Sequence, residues 1–120
     1  MRNPGLIKER YLQDDWRVRL GGIASNLARL ADFAGNPAHR QLVDTLIEES
    51  EHFIEWTAPD SPTEVQAKLV ELQIQLALWR RKLPDTTFGQ EARKGSTEIL
   101  KMSGLLSALP TESKLNALKP

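Results

Sequence analysis

Apolar residues recur at intervals of three and four through most of the first 83 positions, and proline and glycine cut that pattern into segments. Leu12, Trp16, Leu20, Ile23, Leu27, Leu30, Ala31 and Ala34 fall within an arc of about 100° when the chain is wound as a helix. This stripe predicts one continuous helix from Leu6 to Phe33. It keeps its phase across Gly21-Gly22, so that pair is expected to weaken the helix, by about 1 kcal/mol per glycine relative to alanine, and to allow a neighbouring helix to approach closely or a slight kink to form. Gly35 is placed for a left-handed cap at the end.

A second helix is expected from Asn36-Pro37, since Asn can accept free backbone N–H groups and Pro suits the first helical position. Leu42, Val43, Leu46, Ile47, Phe53 and Ile54 form its apolar face, and Asp44, Glu48, Glu51 and Glu55 its polar one. It should stop near Trp56-Thr57, before the breaker run Ala58-Pro59-Asp60-Ser61-Pro62.

The third helix has the sharpest start signal, Ser61-Pro62-Thr63-Glu64, which has the form of a capping box. Val65, Leu69, Leu72, Leu76, Trp79 and Leu83 then follow at alternating spacings of four and three, a coiled-coil-like seam. A second row, Val70, Ile74, Ala77 and Leu78, lies almost opposite. A helix apolar on two opposed stripes needs two surfaces to bury against. The first two helices can cover one side. The other requires the C-terminal segment or a second copy of the chain, because three large apolar residues left in water make a patch unusual for a monomer.

After Pro84 the composition shifts towards Ser, Thr, Gly and Lys. One amphipathic stretch stands out over residues 96–109, with Ile99, Met102, Leu105, Leu106 and Leu109 on one face, Gly104 as a weak point and Pro110 as the stop. A helix this short is marginal alone in water, so it is expected either to dock on the bundle or to fold on a partner. The last ten residues are expected to be disordered. The pattern as a whole predicts an all-α fold: a three-helix antiparallel bundle over residues 1–85, with a short fourth helix inside a flexible C-terminal tail, 86–120.

Charge and composition narrow the functional classes. Sixteen Lys and Arg balance sixteen Asp and Glu, which disfavours nucleic acid as a partner, since that partner calls for a basic footprint. A zero net charge does not oppose self-association. The chain has no cysteine, which removes disulfides, thiol nucleophiles and zinc–thiolate sites. No apolar run approaches the roughly 20 residues of a membrane span, and the first ten residues lack the apolar core of a signal peptide, so a cytoplasmic location is expected. Charge is uneven along the chain: positions 36–60 carry one Arg against six acids, and the stretch from Thr86 carries five bases against three acids.

Candidate chemistry is sparse. Glu49 and His52 form Glu-x-x-His, a spacing used in di-iron carboxylate bundles, but such sites need a second copy of the motif and further glutamates, and the other helices offer no second copy. The expectation is therefore a solvated acidic face. His39 has no Ser, Asp or Glu placed to complete a triad, and Gly21-Gly22 follows no strand, as a phosphate loop would require. Arg80, Arg81 and Lys82 complement the dipole at the end of the third helix. Trp16 and Trp79 lie in phase with core stripes, and Trp56 sits at the margin of its apolar face, where partial exposure is expected.

The leading functional expectation is a non-catalytic helical interaction or adaptor module. It would bind protein partners, or itself as a homodimer, through Val70, Ile74 and Leu78 of the third helix and through Ile99, Met102 and Leu106 of the C-terminal segment, with Trp56 as a further contact. No cofactor is expected. The alternative is a small metal-binding protein or enzyme using Glu48, Glu49, Glu51 and His52. A third reading is peripheral membrane association through residues 96–109, with Arg93, Lys94 and Lys101 nearby.

Overall fold

A computed structural model describes residues 4–83 and 87–104. They form five α-helices: α1 (Pro4–Leu12), α2 (Trp16–Phe33), α3 (Arg40–Thr57), α4 (Thr63–Lys82) and α5 (Gly89–Ser103). Single 3-10 turns, Pro37–His39 and Ala58–Asp60, lead into α3 and out of it. The fold is all-α, but it is a five-helix bundle rather than three helices with a short appendage.

Side-chain pairings give the topology. Asn26 of α2 meets Glu49 of α3 while Arg19 meets the carbonyl of Trp56, so these two helices run antiparallel. Arg80 reaches Asp44 and Gln73 reaches the Glu51 carbonyl, so α3 and α4 do too. Lys68 pairs with Glu98, and Trp79 stacks on Phe88 with ring centroids 5.0 Å apart, which sets α5 antiparallel to α4. Ser96 donates to the Ala24 carbonyl at 2.7 Å and Arg93 pairs with Asp32, closing the ring from α5 back to α2. The core runs down the middle of this up-down-up-down arrangement. It contains Leu20, Ile23, Leu27 and Leu30 from α2, Val43, Leu46 and Ile47 from α3, Leu69, Leu72 and Leu76 from α4, and Ile99 from α5.

The expected first helix is broken, and the break falls at Gln13–Asp15 rather than at the glycine pair. Asp15 is extended, with ψ 152°, and α2 restarts after it. The guanidinium of Arg19 stabilises this corner by donating to the carbonyl of Asp14 at 2.8 Å and to that of Trp56 at 3.2 Å. It also pairs with Asp60 Oδ2 at 2.7 Å. The turn lets α1 fold back so that Tyr11 stacks on Phe53, centroids 4.3 Å apart and rings within 9° of parallel. The Tyr11 hydroxyl donates to the Arg19 carbonyl at 2.9 Å, leaving Thr57 Oγ1, 2.8 Å away, to donate to it in turn. Gly21-Gly22 stays helical, and Gly22 lies under the Tyr11 ring.

Two capping expectations are corrected. Gly35 is not left-handed; α2 ends at Ala34 in ordinary helical geometry, and Asn36 then accepts from the Ala38 N–H at 3.0 Å, with Pro37 after it as expected. The capping box at Ser61 does not form, because the Ser61 hydroxyl turns back to the Thr57 carbonyl at 2.8 Å and Pro62 takes the cap position without a side-chain bond. Among the described residues the left-handed glycine is Gly104, φ 75°, which ends α5.

α5 differs most from expectation. It begins at Gly89 rather than Ser96 and ends at Ser103. Phe88 just before it, and Ala92, Gly95, Ile99 and Ser103 within it, are all buried. Gly95 faces α2 and α4, where a Cβ would stand 3.6 Å from Leu27 Cδ1 and 3.9 Å from Leu72 Cδ1, ordinary contact distances. The expected segment thus belongs in part to the core, and its Leu105, Leu106 and Leu109 lie outside the described residues.

Candidate interaction face on α4

α4 shows both of its expected stripes. Val65, Leu69, Leu72, Leu76 and Trp79 are buried against the bundle. On the far side Val70, Ile74 and Leu78 are 58, 59 and 49% exposed. With Ala67 and Ala77, also exposed, they make a continuous apolar strip of about 16 Å at 1.5 Å of rise per residue.

The flanks of α4 are tied to its neighbours, which holds the strip outward. On one side Arg80 reaches Asp44 at 3.0 Å and Glu51 at 3.5 Å, and Gln73 Nε2 donates to the Glu51 carbonyl at 3.2 Å. On the other, Lys68 pairs with Glu98 of α5 and lies 3.6 Å from Glu71. The hydrogen bond to Glu98 holds the Lys68 ammonium above its ordinary range and the Glu98 carboxyl below its own. Around the strip the charge left unpaired among the described residues is polarised along the axis: Glu64 lies at its N-terminal end, and Arg81 and Lys82 at its C-terminal end. Sequence reasoning favoured the helix dipole for those cations over a clamp on an acidic partner and missed this polarity, although the spacing of the charges carries the signal.

The other candidate residues lie elsewhere. Ile99 is fully buried, so its side chain serves the chain's own core and offers no surface to a partner in this fold. Met102 is half-buried against that core, and Leu106 lies outside the described residues. Trp56 is half-buried in a separate aromatic cluster, 5.8 Å from Tyr11, 6.0 Å from Phe53 and 5.6 Å from His52 by ring centroids.

The residues of the carboxylate–histidine stretch diverge. Glu49 accepts from Asn26 at 3.2 Å, Glu51 faces Arg80 at 3.5 Å, and His52 lies 3.9 Å from both Glu48 and Glu55. Among the described residues no three of the His, Asp and Glu side chains are grouped as a metal ion would require. His39 rests against the Phe33 ring, centroids 4.9 Å apart. Two open surface grooves, of about 510 and 720 Å³, are lined by mixed side chains; the larger contains the Arg80–Asp44 pair. Neither sets a nucleophile beside a base. No helix among the described residues is long and apolar enough to cross a membrane. Comparison with protein-family models, with curated proteins and with solved structures finds no match to this chain.

Proposed function

We propose that this chain is a non-catalytic helical interaction module that docks a protein partner on the outer face of α4. The observation that carries this reading is the alignment of Val70, Ile74 and Leu78 on one strip, each about half or more exposed, on a helix whose opposite stripe is buried. Covering what remains exposed on three such side chains contributes about 1 kcal/mol each, at roughly 25 cal/mol per Å² of apolar surface. That is on the order of a hundredfold in affinity. α5 does not extend the surface through Ile99, so the reading rests on α4.

A photo-reactive benzoylphenylalanine replacing Ile74 tests it. On irradiation in the native extract, that chain should form protein adducts, with itself or another chain, that the same probe at exposed Arg29 of α2 does not form. Val70→Ser with Leu78→Ser should abolish them. Adducts that are the same from both positions, or that survive the double substitution, refute the reading.

A further inference from the structure

We infer that the partner on α4 is a second copy of this chain, seated antiparallel across a two-fold axis that passes at Ile74; this rests on the reading of α4 as a docking face. The apolar strip alone would accept any greasy helix. The charges around it select the occupant.

Glu64 lies ten residues before Ile74 and Lys82 eight after it. At 1.5 Å and 100° per residue, they stand about 15 and 12 Å from Ile74 in opposite directions along α4, both about 80° round to the same side. A two-fold axis through Ile74 perpendicular to α4 keeps that side and reverses the direction. It therefore brings Glu64 level, within about 3 Å along the axis, with the partner's Lys82. The operation repeats the pair at the other end. Arg81 and Ala67 lie seven residues to either side of Ile74, so each arginine comes to rest over the partner's small Ala67. Val70 falls level with the partner's Leu78 on the opposite side of the midline, so the two interdigitate.

A parallel pairing, about an axis along α4, would leave Glu64 across the midline from the partner's Glu64 and facing no base of the partner, and would set Arg81 beside the partner's Arg81. Glu64, Arg81 and Lys82 are all exposed and none takes part in an ion pair among the described residues. The antiparallel arrangement pairs Glu64 with Lys82 at both ends of the strip, and the chain's zero net charge does not oppose it.

Sedimentation equilibrium of the purified full chain, from micromolar to submillimolar concentration, tests the inference. Wild type should approach the mass of two 13.5 kDa chains, and Ile74→Glu should remain a folded monomer by circular dichroism. Glu64→Lys and Lys82→Glu should each weaken association about tenfold, the scale of two exposed ion pairs turned repulsive. The double variant Glu64→Lys, Lys82→Glu should recover wild-type affinity, as should an equimolar mixture of the two single variants. A wild-type monomer throughout overturns the inference; if Ile74 still photo-cross-links to a different protein, the docking reading stands without it. A dimer unaffected by Ile74→Glu, or one indifferent to both charge reversals, also overturns it.

Discussion

Arg19 is the strongest test of how the helical corner is held. Its side chain is only 8% exposed, and its guanidinium donates to the Asp14 carbonyl at 2.8 Å, to the Trp56 carbonyl at 3.2 Å and to Asp60 Oδ2 at 2.7 Å. Arg19→Met keeps the aliphatic stem and removes the donors. Each charge-assisted bond to a carbonyl contributes about 1–1.5 kcal/mol, because the acceptor left behind in a part-buried site loses its partner. The ion pair to Asp60 counts for less, since that carboxylate is 54% exposed and water takes over when the arginine leaves. Together these give about 3 kcal/mol for Arg19→Met and about 0.5 kcal/mol for Asp60→Asn. Urea unfolding followed by tryptophan fluorescence and by circular dichroism measures both. An Arg19→Met loss below about 1 kcal/mol would show that water or another group already satisfies these carbonyls. Equal losses for the two variants would show that the surface ion pair, not the backbone acceptors, holds the corner.

The Tyr11 hydroxyl is packed beside Thr57 Oγ1 and the Arg19 carbonyl, so Tyr11→Phe should cost about 1–2 kcal/mol in the same assay. Burial pushes the Tyr11 phenol well above its ordinary 10.0; its contribution is therefore complete below that value and is lost as pH rises from there towards the folded-state value. Tyr11→Phe should flatten that alkaline decline in urea-derived stability, and an unchanged slope would exclude Tyr11 as its source. Gly95→Ala should stabilise by about 0.5–1 kcal/mol through helix propensity, because the added Cβ meets Leu27 and Leu72 at ordinary contact distances of 3.6 and 3.9 Å; a loss of thermal stability would mean α2 and α5 are packed more tightly than that. Ile99→Ala should cost about 2–5 kcal/mol as a core cavity, and a near-neutral result in the denaturant midpoint would mean α5 is not integral to the bundle.

Which parts of this fold were legible in the sequence follows from side-chain size. The cores of α2, α3 and α4 are built from Leu, Ile and Val at regular spacing, and of the residues expected there from Leu20 through Leu76 all but the partly buried Ala31 and Leu42 are buried. The sequence pattern places the start of α5 at Ser96 rather than Gly89 because the buried face before Ser96 is made by Ala92 and Gly95, which add little to an apolar pattern. Small residues permit close approach to α2, and that advantage exists only when the second helix is present. The break at Gln13–Asp15 was hidden for a related reason. The apolar stripe keeps its phase through it, whereas what holds the turn is a set of distant partners, Trp56, Thr57 and Asp60, brought to Arg19 and Tyr11 by folding. The cap at Ser61 fails for a local reason: its hydroxyl donates to the Thr57 carbonyl one helical turn behind it, and Pro62 takes the cap position.

The α4 face was legible because it departs from the rule that makes helices readable. An ordinary surface helix directs one stripe inward and dissolves the other; α4 buries Leu69, Leu72 and Leu76 and presents Val70, Ile74 and Leu78 in the same register on its back. The neighbours that could have covered that back are engaged otherwise, α3 through Asp44 and Glu51 with Arg80, and α5 through Glu98 with Lys68. Both contacts lie on the flanks and turn the strip towards solvent. Neither folding geometry nor helix propensity requires branched apolar residues at positions 70, 74 and 78, where Glu, Lys or Gln would form α4 as well or better. They are costly in water and gain stability only when covered. The same strip divides the charge left unpaired among the described residues end from end, an acid at 64 and bases at 81 and 82, an order that a reversed copy of α4 complements.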